Sequence, residues 1–270
     1  MWIAENGHFI GEVSGYDRGL QFGDGVFETM RVKSSHIVAL DLHVARLENS
    51  LDALNIPRPY SNIQDWIAEQ CQMLLEQSNL THAILKLIVT RGTSNRGYRY
   101  DSSITPNVML SLNPSPSVDS AIYNEGVETR LCKTQCAIQP QLAGLKHLNR
   151  LENVLARAEV KGEFEGLMCN AYGYVVEGTM SNLLFLKDSQ FYTPKLNVSG
   201  VKGIMRQRVI NHLKNNIGVI ETDIAQNSLP SFDSVLLCNS VLGVVPIRKI
   251  EQNSYTIAPQ AAQLVNAFLD

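Results

Sequence analysis

The sequence is short of most features that would narrow its class at once. Its five cysteines (Cys71, Cys132, Cys136, Cys169 and Cys238) are odd in number among 270 residues and contain no C-x-x-C pair. A chain of this length needs no disulfide framework, so they read as reduced thiols of a cytoplasmic protein. Cys132 and Cys136 lack a second Cys pair or neighbouring His, and no metal is expected. Net charge is scarce as well. The chain carries 23 Lys+Arg against 26 Asp+Glu, a balance of −3 that argues against a nucleic acid or an anionic membrane as partner. Long apolar runs are missing. Residues 234–247 are interrupted by Asn239, Ser240, Gly243 and Pro246, and fall short of the roughly 20 residues that a membrane helix needs. The opening MWIAENGHF has an acid at Glu5 and no basic stretch before an apolar run, so no secretory signal is expected.

What is present suits a packed globular protein: 44% hydrophobic and 18% charged residues, with no repeat or low-complexity stretch. β-type residues predict strands at 9–13 and 26–32. Asp41 reads as the N-cap of a helix whose apolar residues recur until Pro57. A second helix is expected at 63–77. Strands follow at 83–90 and 107–112, the first apolar enough to be covered on both faces. The segment NPSPSVD, residues 113–119, holds two close prolines and reads as an extended linker. Residues 1–112 and 120–270 then form two mixed α/β domains. In the second, helices are expected near 149–161, 205–216 and 258–268, with strands near 166–169, 174–177, 182–186 and 234–238.

Four local features could carry chemistry. Lys146 lies among Leu142, Ala143, Leu145 and Leu148, just before a helix. Partial desolvation would lower its pKa and suit a base or a Schiff-base nucleophile, although a snorkelling surface lysine fits as well. Glu177 ends an apolar strand and is followed by Gly178, Thr179 and Ser181, small enough for a ligand to approach. Buried there, it would need hydrogen bonds or a cation, and a structural ion pair is the alternative. VSGVKGIMRQRV, residues 198–209, places Gly200 and Gly203 before a helix start, an arrangement that binds phosphate, but it lacks the Walker pattern. TRGTSNRGYRY, residues 90–100, carries Arg91, Arg96 and Arg99 in a glycine-bearing loop; it suits carboxylate capture or is merely solvated. Lys161 and Lys202 read as surface residues. A lysine nucleophile, a buried acid and a phosphate cradle are together what pyridoxal 5'-phosphate requires.

DRGLQFGDGVFETMRV (17–32), HVARLENSLDAL (43–54), GLKHLNRLENVLA (144–156), EGTMSNLLF (177–185), KGIMRQ (202–207) and CNSVLGVVPI (238–247) resemble, in that order, the fold-type IV pyridoxal-phosphate enzymes. That family holds branched-chain aminotransferases, D-amino acid aminotransferases and aminodeoxychorismate lyases. The resemblance implies a two-domain α/β fold with the cofactor between the domains. It makes Lys146 the Schiff-base lysine and Glu177 the partner of the pyridine nitrogen. It assigns the phosphate to Arg46, to the backbone of Ile204 and Met205, and to Ser240; Met205 stands where the aminotransferases commonly have Thr. RGTSNRGY, Thr29 and Asn239 are nearest the lyase pattern, with Arg96 and Arg91 on a substrate carboxylate, Asn239 orienting the substrate and Thr29 assisting Lys146. The substrate implied is the small molecule 4-amino-4-deoxychorismate, in a homodimeric enzyme, with aminotransferase activity as the alternative.

Overall fold

The computed structural model describes residues 2–5, 8–9, 13–94 and 97–269, the first two stretches as backbone only. The predicted strand at 9–13 therefore falls largely outside the described residues. The chain divides into two compact units: Met1–Pro116 with Leu145–Asn149, and Ser117–Gly144 with Arg150–Asp270.

The first unit contains β1 (Trp2–Glu5), β2 (His8–Phe9), α1 (Arg18–Phe22), β3 (Gly25–Lys33), β4 (His36–Ile37), α2 (Leu40–Ala53), α3 (Ile63–Ser78), β5 (Ala83–Thr90) and β6 (Asn107–Pro114). Its strands pair antiparallel in the order β2-β1-β6-β5-β3-β4. One face is dry. Val26, Met30 and Val32 of β3, Leu85, Leu87 and Val89 of β5, and Leu110 of β6 are buried with Leu47 and Leu51 of α2 and Ile67 and Leu74 of α3. The other face carries the half-buried Phe27, Thr29, Ile84 and Ile88, with Lys86 exposed in its middle. The expectation that β5 is covered on both faces thus fails: alternate positions along an antiparallel strand see different surroundings, and only one set is sealed.

Asp41 is not a cap either. α2 starts at Leu40 behind Ala39, which has φ 54° and no side-chain cap, and Asp41 lies inside the first turn, where its charge favours the helix dipole. α1, absent from the expectations, is one short turn capped at both ends. Asp17 Oδ1 accepts the Leu20 N–H at 3.1 Å, and Gly23 closes the turn at φ 66°.

The segment 145–149 joins the first unit because it hydrogen-bonds to the start of β3. Phe27 N–H donates to Lys146 O and Leu148 N–H to Gly25 O, both at 2.9 Å.

The second unit runs α4 (Ala121–Asn124), β7 (Val127–Leu131), α5 (Leu151–Glu159), β8 (Glu165–Cys169), β9 (Tyr174–Gly178), β10 (Asn182–Lys187), β11 (Gln190–Pro194), α6 (Ile204–Leu213), β12 (Val219–Thr222), β13 (Ile224–Ala225), a 3-10 turn (Gln226–Ser231), β14 (Ser234–Asn239), β15 (Gly243–Ile250), β16 (Asn253–Ser254) and α7 (Pro259–Ala267). The sheet order is β12-β11-β10-β14-β15-β7-β8-β9-β13, with β16 added to β15. Its central strands are sealed on both faces. Leu183, Phe185, Val235, Leu237, Val245 and Ile247 form one core, while Leu184, Leu236, Cys238 and Val244 pack with Met205 and Val209 of α6 and Leu264 and Val265 of α7. Continuous apolar sequence is what such strands require. No helix among the described residues is long and apolar enough to cross a membrane.

Candidate active site

In the first unit, the bonds between 145–149 and β3 bring Lys146 to the less covered face of the sheet. Its Nζ lies 4.3 Å from the centroid of the Phe27 ring, and the Nζ of Lys86 lies 5.3 Å from the same ring. A cation over an aromatic face keeps favourable electrostatics while giving up some water. Thr29 follows two residues on along the same face of β3, directly opposite Lys86 on β5.

On the opposite, dry face, Glu28 is 1% exposed. Arg46 Nε and Nη2 donate to its two oxygens at 2.8 and 2.5 Å, and His43 Nδ1 lies 2.6 Å from Oε2. Burial pushes the Glu28 carboxyl up, but Arg46 and His43 outweigh it and hold the group below its ordinary range. Arg46 is therefore a residue with one edge fixed by a buried carboxylate, and neither Glu28 nor His43 was singled out from the sequence.

Of the two carboxylate-binding arginines expected, Arg96 lies outside the described residues. Arg91 is 4% exposed, and its guanidinium is engaged inside the unit. It donates to both oxygens of Asp24 at 2.8 and 3.0 Å and to the carbonyls of Asn55 and Leu54 at 2.7 and 2.8 Å, with Tyr100 stacked 3.8 Å above. Four bonds to protein acceptors make Arg91 an anchor of the loop. Asp24 also accepts from Arg18 Nε at 2.8 Å.

In the second unit, Glu177 is the last residue but one of β9, 4% exposed, and its Oε2 accepts the Val201 N–H at 2.8 Å. Arg150, pushed below its usual range by burial, has Glu177 and Glu152 among its electrostatic partners. Val201 stands three residues before α6, so the buried acid and the start of that helix are neighbours. Ile204 and Met205 open α6 with no side-chain cap at Gly203, and the helix dipole is left to whatever anion meets its first N–H groups. Ser240 begins the turn after β14. Asn239 builds that turn: its Oδ1 accepts the N–H groups of Val241 and Leu242 at 2.9 and 2.8 Å, and its Nδ2 donates to Met180 O at 3.4 Å.

Thr179 and Ser181 have a different role from the open approach expected. Their hydroxyls donate to Glu165, which is 1% exposed, at 2.5 and 2.9 Å. The small residues after Glu177 thus satisfy a second buried acid. Lys161 and Lys202 are exposed. No group of three His, Cys, Asp or Glu among the described residues could hold a metal ion.

Comparison with known proteins places this geometry. The model of the amino-transferase class IV family matches residues 25–250. The chain is 38% identical to an aminodeoxychorismate lyase of Vibrio harveyi over 87% of its own length and 86% of the relative's. It is 29% identical to a D-alanine aminotransferase of Bacillus licheniformis over 87% and 82%. The crystal structure of 4-amino-4-deoxychorismate lyase from Pseudomonas aeruginosa superposes with a TM-score of 0.93 at 36% identity, covering 98% of this chain and 97% of that one. The chain belongs to the class IV aminotransferase family.

Proposed function

We propose that the chain is a pyridoxal-phosphate-dependent lyase converting 4-amino-4-deoxychorismate to 4-aminobenzoate and pyruvate. The observation that carries this reading is the similarity to two lyases at 38% and 36% identity over nearly the whole chain, against 29% for the D-alanine aminotransferase.

The residues present fit the cofactor. α6 starts uncapped, which suits a phosphate, and Glu177 is a buried carboxylate whose Oε2 takes a neutral backbone donor. Lys146 would attach the cofactor, Glu177 would hold its pyridine nitrogen protonated, and Arg46, the Ile204 and Met205 N–H groups and Ser240 would hold its phosphate. When bound, the cofactor supplies an electron sink for the carbon that bears the substrate amine. Lys146, on the less covered sheet face beside Phe27, would be the general base that takes the proton from that carbon. Thr29, on the same strand face, passes a proton toward the leaving enolpyruvyl group. Arg96 neutralises a substrate carboxylate. For Asn239 the support is narrower, since its carbonyl oxygen already builds a turn.

A homodimer is part of this reading. Leu151, Val154 and Leu155 stand exposed along one side of α5, an apolar strip that a second copy would cover. Cytoplasmic residence is supported by the five free cysteines. Burial pushes the Cys71 and Cys169 thiols up to about 11 and Cys238 to about 12, so none of these three is a ready thiolate.

The test is an assay of purified protein with the cofactor and 4-amino-4-deoxychorismate, and no keto acid. Pyruvate and 4-aminobenzoate are expected to appear together, one for one. A flat trace, with turnover of a D- or branched-chain amino acid plus 2-oxoglutarate, overturns the lyase reading in favour of an aminotransferase.

A further inference from the structure

Arg46 has a place in the proposed chemistry, but Glu28 and His43, the two groups that hold it, have none. Along β3 the dry face presents Val26, Glu28, Met30 and Val32, so one acid stands in an otherwise apolar column. Its neighbours in that column, Val26 and Met30, are 1% and 0% exposed. A carboxylate placed there loses its water, and an apolar residue of similar size would stabilise the fold as well or better. Glu28 Oε1 accepts from Arg46 Nε, and Oε2 accepts from Arg46 Nη2 with His43 Nδ1 beside it. His43 and Arg46 lie one turn apart on α2. A further turn on, Ser50 Oγ donates to Arg46 O at 2.7 Å.

Burial runs the opposite way to that of a surface ion pair. The side chains of Glu28 and His43 are 1% exposed, whereas that of Arg46 is 11% exposed. The acid is the sealed partner and the cation the outer one. Arg58 shows the ordinary arrangement with Glu48 and Asp52 of the same helix, its side chain 50% exposed and theirs 32% and 59%. Solvent competes for a pair of that kind. At Glu28, two bonds to one edge of a planar guanidinium fix the direction of the plane as well as answering its charge. Burial pushes the Glu28 carboxyl up, but Arg46 and His43 outweigh it, so the acid stays ionised beside the arginine at neutral pH.

We propose that Glu28, backed by His43, is a positioning residue for phosphate binding. It presets the guanidinium of Arg46, so that little of the arginine's freedom is left to lose when the cofactor's phosphate arrives. This rests on the reading of Arg46 as a phosphate ligand. Glu28 itself touches neither the phosphate nor the reacting atoms on this account.

The experiment titrates the full-length protein, freed of cofactor by dialysis, with pyridoxal 5'-phosphate and separately with pyridoxal, which lacks the phosphate. The visible band of the lysine-bound form reports both. The ratio of the two affinities measures the grip on the phosphate, whereas a general loosening of the fold weakens both ligands together. Glu28→Gln keeps the shape but turns one acceptor toward Arg46 into a donor. It is expected to lower the ratio by about threefold or more, the size of restoring the ordering cost of one side chain. Arg46→Ala should lower the ratio further, and adding Glu28→Gln to Arg46→Ala should lower it no more. A smaller fall in Glu28→Gln, including an equal loss for both ligands, overturns the proposal. So does an added fall in the double variant. Should Glu28→Gln fail to fold, Glu28→Asp keeps the charge and shifts the anchor by one methylene, and the same fall of about threefold is required of it. An unchanged ratio in Arg46→Ala overturns the reading of Arg46, and the proposal with it. Failure of the lyase reading shows separately, as a wild type that binds the cofactor but makes no pyruvate without an acceptor.

Discussion

Lys146 is half-buried on the less covered face of the first unit's sheet. Its ammonium faces the Phe27 ring, and the carbonyl of the same residue is tied to the Phe27 N–H, so backbone and side chain are fixed by one neighbour. If it attaches the cofactor and later moves the proton, Lys146→Ala removes two roles at once. The visible band of the lysine-bound cofactor is expected to disappear, and kcat to fall by about 10³ or more, in line with the loss of a positioned general base. A band that persists at its original wavelength would move attachment to another lysine. Lys146 was legible as a lysine among apolar neighbours just before a helix, and Glu177 as an acid between an apolar strand and a small-residue turn. Arg46 and Arg91 were legible as arginines only. Which acid each one meets is decided by strand register: Glu28 faces α2 because it alternates with Phe27 and Thr29, and Asp24 meets Arg91 across the β3–β5 pair. Arg18 left no signal short of its motif, since a buried arginine reads in sequence like an exposed one.

The approach to α6 shows how tightly neighbouring elements constrain the start of that helix. A Cβ on Gly203 would lie 1.9 Å from Asn182 Oδ1, and Asn182 Nδ2 donates to Val201 O at 2.8 Å. The glycine therefore sets the distance between the helix start and β10, on the segment that also gives Glu177 its N–H partner. Gly203→Ala keeps an allowed backbone but forces the Asn182 amide aside. Its cost is about 1–3 kcal/mol, as for other overpacked sites, and cofactor affinity should fall with it. Thermal melts with and without cofactor check this, with Gly162→Ala as a control, since a Cβ there meets nothing within 4 Å. A variant that melts and binds like wild type would mean the helix start is not held by this contact. Much of the element order was readable from apolar runs, including α3, β5, β10 and β14. β15 was not, because Pro246 reads as a breaker; it sits opposite Leu236 in a strand whose other residues carry the pairing. β7 and β11 are five residues long with mixed polarity, too short for periodicity to show.

Across the whole molecule, a formal charge of −3 conceals ion pairs placed out of water. Asp24 serves Arg18 and Arg91, and Glu28 serves Arg46 and His43, all within the first unit. Burial raises the pKa of each acid, and the paired groups outweigh burial, so both folded-state values lie below the ordinary ones. Unfolded, the two acids titrate near about 4. The folded form therefore binds fewer protons in that region, and each pair stabilises it fully above the unfolded pKa. As pH falls through the lowered folded values, the carboxylates protonate and that stabilisation disappears. Urea midpoints should hold from neutrality to about pH 5 and then decline steeply below about pH 4. Asp24→Asn isolates one contribution. It leaves two buried guanidinium groups without their carboxylate, at a cost of about 3 kcal/mol at pH 7. Because protonated Asp24 is also neutral, the gap between variant and wild type should close as pH falls through the lowered folded value of Asp24. Parallel curves at every pH would show that Asp24 contributes shape rather than charge.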